Sequence, residues 1–242
     1  MLKTYNKLWV FGDSFTTPNI CVDPKDSFWG LAAKSLDVKT IFNSSWTSNS
    51  FDSICHTLIS MQEHYDWDND VFFIGIPPLW RLTVFDNYKN TQYNGHDINC
   101  TTWQSNKVDI PCHTGLVNIG AHSAVDKLFV IFEDRSWTET QTLRTVFLLT
   151  SWLDSKKANY LIYNLSDPLD LNNRWGPSEF LLPYCAEHSR CILFEDTYYS
   201  VNVGINVPPD SNETDKWRGH HGPAGNELFY KKSIATKLKQ LF

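Results

Sequence analysis

Short apolar runs alternate with longer segments of helical spacing along most of the chain, and this alternation limits the folds that it can adopt. Lys7–Phe11 and Val71–Ile76 are the clearest apolar runs, and their length suits strands that are buried on both faces. Alternating strands and helices predict a three-layer α/β/α sandwich with a five-stranded, mainly parallel sheet. The predicted strands are 7–11, 38–42, 71–76, 160–164 and 191–194, and the predicted helices are 26–36 (with Asp26 as N-cap), 51–65, 138–157 and 224–241.

The chain is of a size that one hydrophobic core can organise. It has 242 residues, of which 42% are hydrophobic, as expected for one α/β domain. Repeats, low-complexity stretches and linkers are absent from the sequence. We therefore predict a single domain over residues 1–242, with a polar and aromatic insertion at about residues 79–121 and a long loop at 197–219, each after a strand.

Composition argues against several classes of partner. The formal net charge is -6, and no basic face for nucleic acid or anionic lipid is evident. The sequence has neither a signal-peptide pattern nor a long apolar span, so we expect no membrane association. Its six cysteines form no CxxC pair, which favours buried, reduced thiols over disulfides or zinc ligands.

The tripeptide Gly12-Asp13-Ser14 follows the first predicted strand directly. These are common turn residues, so by themselves they indicate only a turn. The carboxyl ends of parallel strands, however, are where open α/β sheets bind ligands, and Ser14 there is a candidate nucleophile. Its hydroxyl would need a general base within hydrogen-bonding reach, and its backbone N–H could face a developing oxyanion.

A second candidate segment precedes the last predicted helix. It contains Asp215, His220 and His221, and the helix begins near Pro223. A catalytic histidine needs a carboxylate to orient its second ring nitrogen. Adjacent loop histidines also suit metal ligation or exposure to solvent, so this segment alone leaves the chemistry open.

Taken together, the two segments resemble the SGNH (GDSL-type) hydrolases in the order of their blocks along most of the chain. The resemblance implies an SGNH-hydrolase-like, flavodoxin-like fold in which Ser14 is the nucleophile. It also implies that His220 is the base, because His220 lies five residues before Gly225 of the helix start, as the family pattern requires.

The catalytic acid departs from the family pattern. In the family it normally lies three residues before the histidine, and here that position is Trp217. Asp215 is the nearest carboxylate and becomes the candidate acid. Asp210 and Glu213 remain alternatives.

The blocks that supply the oxyanion hole depart further. Counting from Asn43, Ser48 occupies the place of the family's glycine, and its backbone N–H can serve as a donor. The third block, Gly-x-Asn-Asp in the family, is replaced by the run Gly75-Ile76-Pro77-Pro78, which lacks the side-chain donor. Asn49 and Arg81 are candidate replacements.

These residues predict a serine esterase that works without a metal or an organic cofactor. The resemblance implies small-molecule or glycan esters, including O-acetyl groups, as substrates, and Trp80 and Arg81 are candidate substrate-binding residues. In lacking the third block, the chain resembles divergent SGNH proteins of tailed bacteriophages. We therefore expect a cytoplasmic or virion-associated protein. Two alternatives remain: a catalytically weakened glycan-binding or virion module, and an acyltransferase or thioesterase. The sequence leaves the oligomeric state open.

Overall fold

A parallel five-stranded sheet forms the centre of the molecule. The computed structural model describes residues 5–17, 23–45, 50–78, 135–166, 168–170, 178–202 and 221–242. The strand order is β2-β1-β3-β4-β5, and neighbouring strands pair in parallel. This is the order of flavodoxin-like doubly wound folds, and it confirms the predicted fold class. The strands are Lys7–Phe11 (β1), Thr40–Asn43 (β2), Asp70–Ile76 (β3), Asn159–Asn164 (β4) and Cys191–Ile192 (β5).

Helices follow the strands along the chain. Short 3-10 turns occur at Pro24–Asp26 and Gln62–His64, and a π-helical segment at Tyr230–Ile234 interrupts the last helical stretch. The α-helices are Phe28–Ser35 (α1), Phe51–Ser60 (α2), Arg135–Ser155 (α3), Ser178–Glu187 (α4), Tyr198–Asn202 (α5), Pro223–Phe229 (α6) and Ala235–Leu241 (α7).

Alternate side chains of each central strand enter two different cores, one on each face of the sheet. In β1, Trp9 and Phe11 pack into one cluster with Leu58 of α2, whereas Leu8 and Val10 pack into a second cluster with residues of α1 and the C-terminal helices. Successive strand side chains point to opposite faces, so a strand that is apolar throughout needs cover on both. The two cores make the molecule a three-layer α/β/α sandwich.

Several predicted helix boundaries differ from the observed ones, and the long helix predicted at 138–157 is Arg135–Ser155. The first helix begins at Phe28, because its cap is Ser27, whose Oγ accepts the Gly30 N–H at 3.0 Å; Asp26 instead ends a 3-10 turn. The second helix ends at Ser60.

Within the described residues, two helices lie where none was predicted. Helix α4 contains Pro183, a residue that removes a backbone donor and usually argues against a helix interior. Helix α5 has five residues and lies inside the stretch predicted as a loop. The predicted insertion at 79–121 lies outside the described residues. Within the described part of the chain, no helix is both long and apolar enough to cross a membrane.

Burial makes two thiols poor nucleophiles in the core that contains Trp9 and Phe11. Cys185 and Cys191 are free and buried, and burial raises the pKa of Cys185 to about 12 and that of Cys191 well above its usual value. A raised pKa lowers the thiolate fraction at neutral pH. We therefore expect iodoacetamide at pH 8 to alkylate both at least roughly a hundredfold more slowly in the folded protein than in urea. Peptide mass spectrometry measures this, and equal rates in the two states would contradict it.

Candidate active site

A tight turn at the carboxyl end of β1 carries Ser14. The carbonyl oxygen of Asp13 accepts hydrogen bonds from the backbone N–H groups of Thr16 and Thr17, each at 3.0 Å, and from their hydroxyls at 2.8 and 3.0 Å. The Asp13 carboxylate accepts the N–H of Phe15 at 3.0 Å. Asp13 is fully buried, and its bonds close the turn around Ser14.

The turn requires glycine at position 12, because the side chain of Thr16 lies close against the Gly12 backbone. A Cβ at this position would lie 2.3 Å from Thr16 Oγ1 and 3.1 Å from Thr16 Cγ2. The threonine cannot move away without breaking its hydroxyl bond to Asp13. The first residue of the tripeptide therefore lets the turn fold back over the end of β1.

Replacing Gly12 by alanine is expected to destabilise the protein by about 1–3 kcal/mol, because the added methyl overpacks the turn. Urea denaturation measures the loss. The double variant Gly12→Ala/Thr16→Ala is the control: removing the Thr16 hydroxyl and methyl relieves part of the clash, so the double variant should lose less than the sum of the two single variants. Additive losses would contradict this account.

Ser14 is more enclosed than a simple strand-to-turn junction suggests. Only 8% of its surface is exposed. A low exposure excludes most bulk water from the hydroxyl, and the electrostatic effect of neighbouring dipoles is stronger in such a site than in water.

The segment next to His220 is fastened by the side chain of Asn226, in helix α6. Asn226 Nδ2 donates to the carbonyl oxygens of His221 and Gly222 at 2.8 and 3.1 Å, and its Oδ1 accepts the N–H of Phe28 at 3.2 Å. Asn226 is 1% exposed. One buried amide thus fixes the start of α6 against the start of α1.

Tyr198 connects this segment with the turn that carries Ser14. Its ring centroid lies 5.5 Å from that of Phe15, which follows Ser14, and 5.1 Å from that of His221, which follows His220. Tyr198 is 1% exposed. The described neighbours of Ser14 and of His220 therefore both pack against one aromatic ring.

A buried tyrosine next to the turn is held in its neutral form. Burial, with a smaller contribution from the negative charge of Asp13, raises the pKa of Tyr163 well above its usual value. Its hydroxyl is buried and has no hydrogen-bond partner among the described residues. Tyr163 therefore cannot act as a general base at neutral pH.

Of the candidate site residues, the structure describes some and leaves others outside the described ranges. Ser14 is described, on the turn after β1. The end of β3 carries no candidate donor for the third oxyanion position. There, Ile76 is followed by the buried Pro77 and Pro78. The other candidates lie outside the described residues: His220, Asp215, Ser48, Asn49, Trp80 and Arg81, with the alternative acids Asp210 and Glu213.

Sequence reasoning missed the residues that connect the segments of the site. Asn43, at the end of β2, bonds to the nucleophile turn, and Tyr198 and Asn226 hold the histidine segment. The only signal in the sequence was position, since each lies at the end of a strand or just inside a helix next to a candidate segment. Among the described residues, no group of three or more His, Cys, Asp or Glu side chains gathers as a metal site would require.

Comparison with known proteins gives matches only among solved structures. No protein-family model and no curated protein matches the chain. A member of the lipolytic protein G-D-S-L family from Veillonella parvula is 15% identical, with a TM-score of 0.45, over 95% of this chain and 96% of that chain. A carbohydrate esterase, whose active site displays divergent catalytic and non-catalytic binding functions, is 14% identical, with a TM-score of 0.46, over 98% of this chain and 69% of that chain. The chain is similar to both in overall arrangement, and neither similarity bears on its substrate.

Proposed function

We propose that this protein is a serine esterase that hydrolyses ester bonds through an acyl-serine intermediate. The observation that carries the proposal is the placement of Ser14 on a tight, buried turn at the carboxyl end of β1, a central strand. The contact of Tyr198 with both Phe15 and His221 supports a histidine base from the neighbouring segment. A serine needs such a base to react at neutral pH.

In the proposed reaction, His220 removes the Ser14 proton while Oγ forms a bond to the carbonyl carbon of the ester. The backbone N–H groups of Ser14 and Ser48, with Asn49, stabilise the negative oxygen that develops. When the carbon–oxygen bond to the alcohol breaks, His220 gives its proton to the departing alcohol. Water then attacks the acyl-serine by the same route, releasing the acid and restoring the Ser14 hydroxyl.

Asp215 is proposed to orient His220 by accepting a hydrogen bond from its other ring nitrogen. Asp210 and Glu213 are the alternatives, because Trp217 occupies the usual position of the acid. The proposed substrate class is acetyl esters, including O-acetyl groups on glycans, with Trp80 and Arg81 contacting the substrate. The resemblance to bacteriophage proteins remains a prediction from the sequence.

A second candidate function is a catalytically weakened module that binds glycans or belongs to a virion. The end of β3 favours it, because Pro77 and Pro78 have no backbone N–H and no side-chain donor at the place where the family has its asparagine. Loss of one oxyanion donor typically slows a reaction by about 10²–10³-fold. Acyl transfer and thioester hydrolysis use the same nucleophile and are the remaining alternatives within the enzyme class.

Hydrolysis assays separate these functions. The esterase proposal predicts turnover of p-nitrophenyl acetate, faster than of p-nitrophenyl esters with long acyl chains, and release of acetate from acetylated glycans. A binding module predicts retention of the glycan on the protein without acetate release. Absence of turnover on all of these esters by the folded protein would reject the esterase proposal.

A further inference from the structure

Asn43 joins the nucleophile turn to the segment that holds the predicted oxyanion donors. It is the last residue of β2 and pairs in register with Val10 of β1, so it lies at the carboxyl edge of the sheet. Its Nδ2 donates to the carbonyl oxygen of Thr16 at 2.7 Å. Its Oδ1 accepts the N–H of Ser45 at 2.9 Å. The two ends of one side-chain amide thus bind two separate segments.

At the turn, the amide binds a residue that is itself fixed. Thr16 is fully buried, and both its N–H and its hydroxyl bond to the Asp13 carbonyl. Asn43 therefore binds the turn that encloses Ser14 at Thr16, two residues after Ser14. A displacement of the amide would displace that turn.

At its other end, the amide fixes the start of the second segment. The N–H of Ser44 donates to the carbonyl of Val10 at 2.8 Å, which extends the pairing of β2 with β1 by one residue. Ser45 is 6% exposed and lies three residues before Ser48 in the sequence. The backbone of Ser44 and Ser45 thus leaves the sheet in a direction set by Asn43.

We propose that Asn43 is a positioning residue, which fixes the turn that carries Ser14, and with it the backbone N–H of Ser14, against the end of β2. The inference rests on the proposed function. Oxyanion donors act only within about 2.7–3.1 Å of the charged oxygen, and a misplacement of about 1 Å can cost about 10²-fold in rate. Asn43 does not contact the reacting atoms, and it acts through the turn and the segment that it joins.

The test compares Asn43→Ala with Asn159→Ala. Asn159 begins β4 at the opposite edge of the sheet, where its Nδ2 donates to the carbonyls of Asp68 and Asp70 at 3.0 and 3.2 Å. Each variant removes at least two amide hydrogen bonds, so each should lower Tm by roughly 2–8 °C. Only the first should affect chemistry: kcat for p-nitrophenyl acetate falls by about 10–100-fold with KM within about threefold.

Asn43→Leu is the second variant, because leucine keeps the branched shape and the number of side-chain heavy atoms of asparagine while removing both hydrogen bonds. It should reproduce the fall in kcat, and it decides the test if Asn43→Ala does not fold. Wild-type kcat in both folded Asn43 variants, with the same loss of Tm as Asn159→Ala, would overturn the positioning role and leave the esterase intact. An inactive wild-type protein would instead overturn the proposed function, and the inference with it.

Discussion

Replacing Ser14 by alanine is expected to abolish ester hydrolysis, with a fall in kcat of about 10⁴–10⁶-fold. The reason is chemical: the methyl group cannot form an acyl intermediate, and the remaining donors only bind the substrate. The turn should survive, because its hydrogen bonds come from Asp13, Thr16 and Thr17 and not from the Ser14 hydroxyl. The measurement is p-nitrophenyl acetate turnover, with Tm as the check on folding.

Ser60→Ala is the matched control for the nucleophile. Ser60 lies at the end of α2, and its exposed hydroxyl donates to the Thr57 carbonyl, so its loss should leave turnover unchanged. If the folded Ser14→Ala protein retains more than about a tenth of wild-type turnover, Ser14 is not the nucleophile.

Replacing His220 by alanine is the second variant with a large expected effect. Without a base, the Ser14 hydroxyl stays protonated at neutral pH, and kcat should fall by about 10⁴–10⁶-fold. Added imidazole should restore part of the activity by entering the space left by the ring. The measurement is turnover with and without imidazole.

His221→Phe distinguishes the two adjacent histidines. The His221 ring packs on Tyr198 at 5.1 Å between centroids, and phenylalanine keeps an aromatic ring there while removing both nitrogens. Turnover should remain within about tenfold of wild type, since loss of the catalytic base would lower kcat by about 10⁴–10⁶-fold. A collapse of activity in His221→Phe, together with full activity in His220→Ala, would transfer the role of base to His221.

Periodicity was sufficient to predict the central strands of the sheet, because their apolar sequences reflect burial on both faces. Val71–Ile76 is apolar throughout and is buried throughout, as a central parallel strand must be. The position of Ser14 directly after a strand was also predictable, since parallel strands bring their carboxyl ends to one edge. Helix α4 was not, because Pro183 contradicts helix propensity and packing overrides it.

The contacts that assemble the site could not be predicted from local sequence. Asn226 bonds to the N–H of Phe28, a residue 198 positions away, and Asn43 bonds to a turn 27 positions before it. Neither asparagine differs, in its local sequence, from an ordinary turn or cap residue. Such partners become visible only when the fold has brought the segments together.

The most direct test of the account is where a fluorophosphonate probe reacts. Such probes phosphonylate a serine that a neighbouring base has activated, and peptide mass spectrometry locates the adduct. The account predicts one adduct per chain, on the peptide that contains Ser14, and its loss in Ser14→Ala and in His220→Ala. An adduct on another serine, or no adduct on a protein that is shown to be folded, would contradict it.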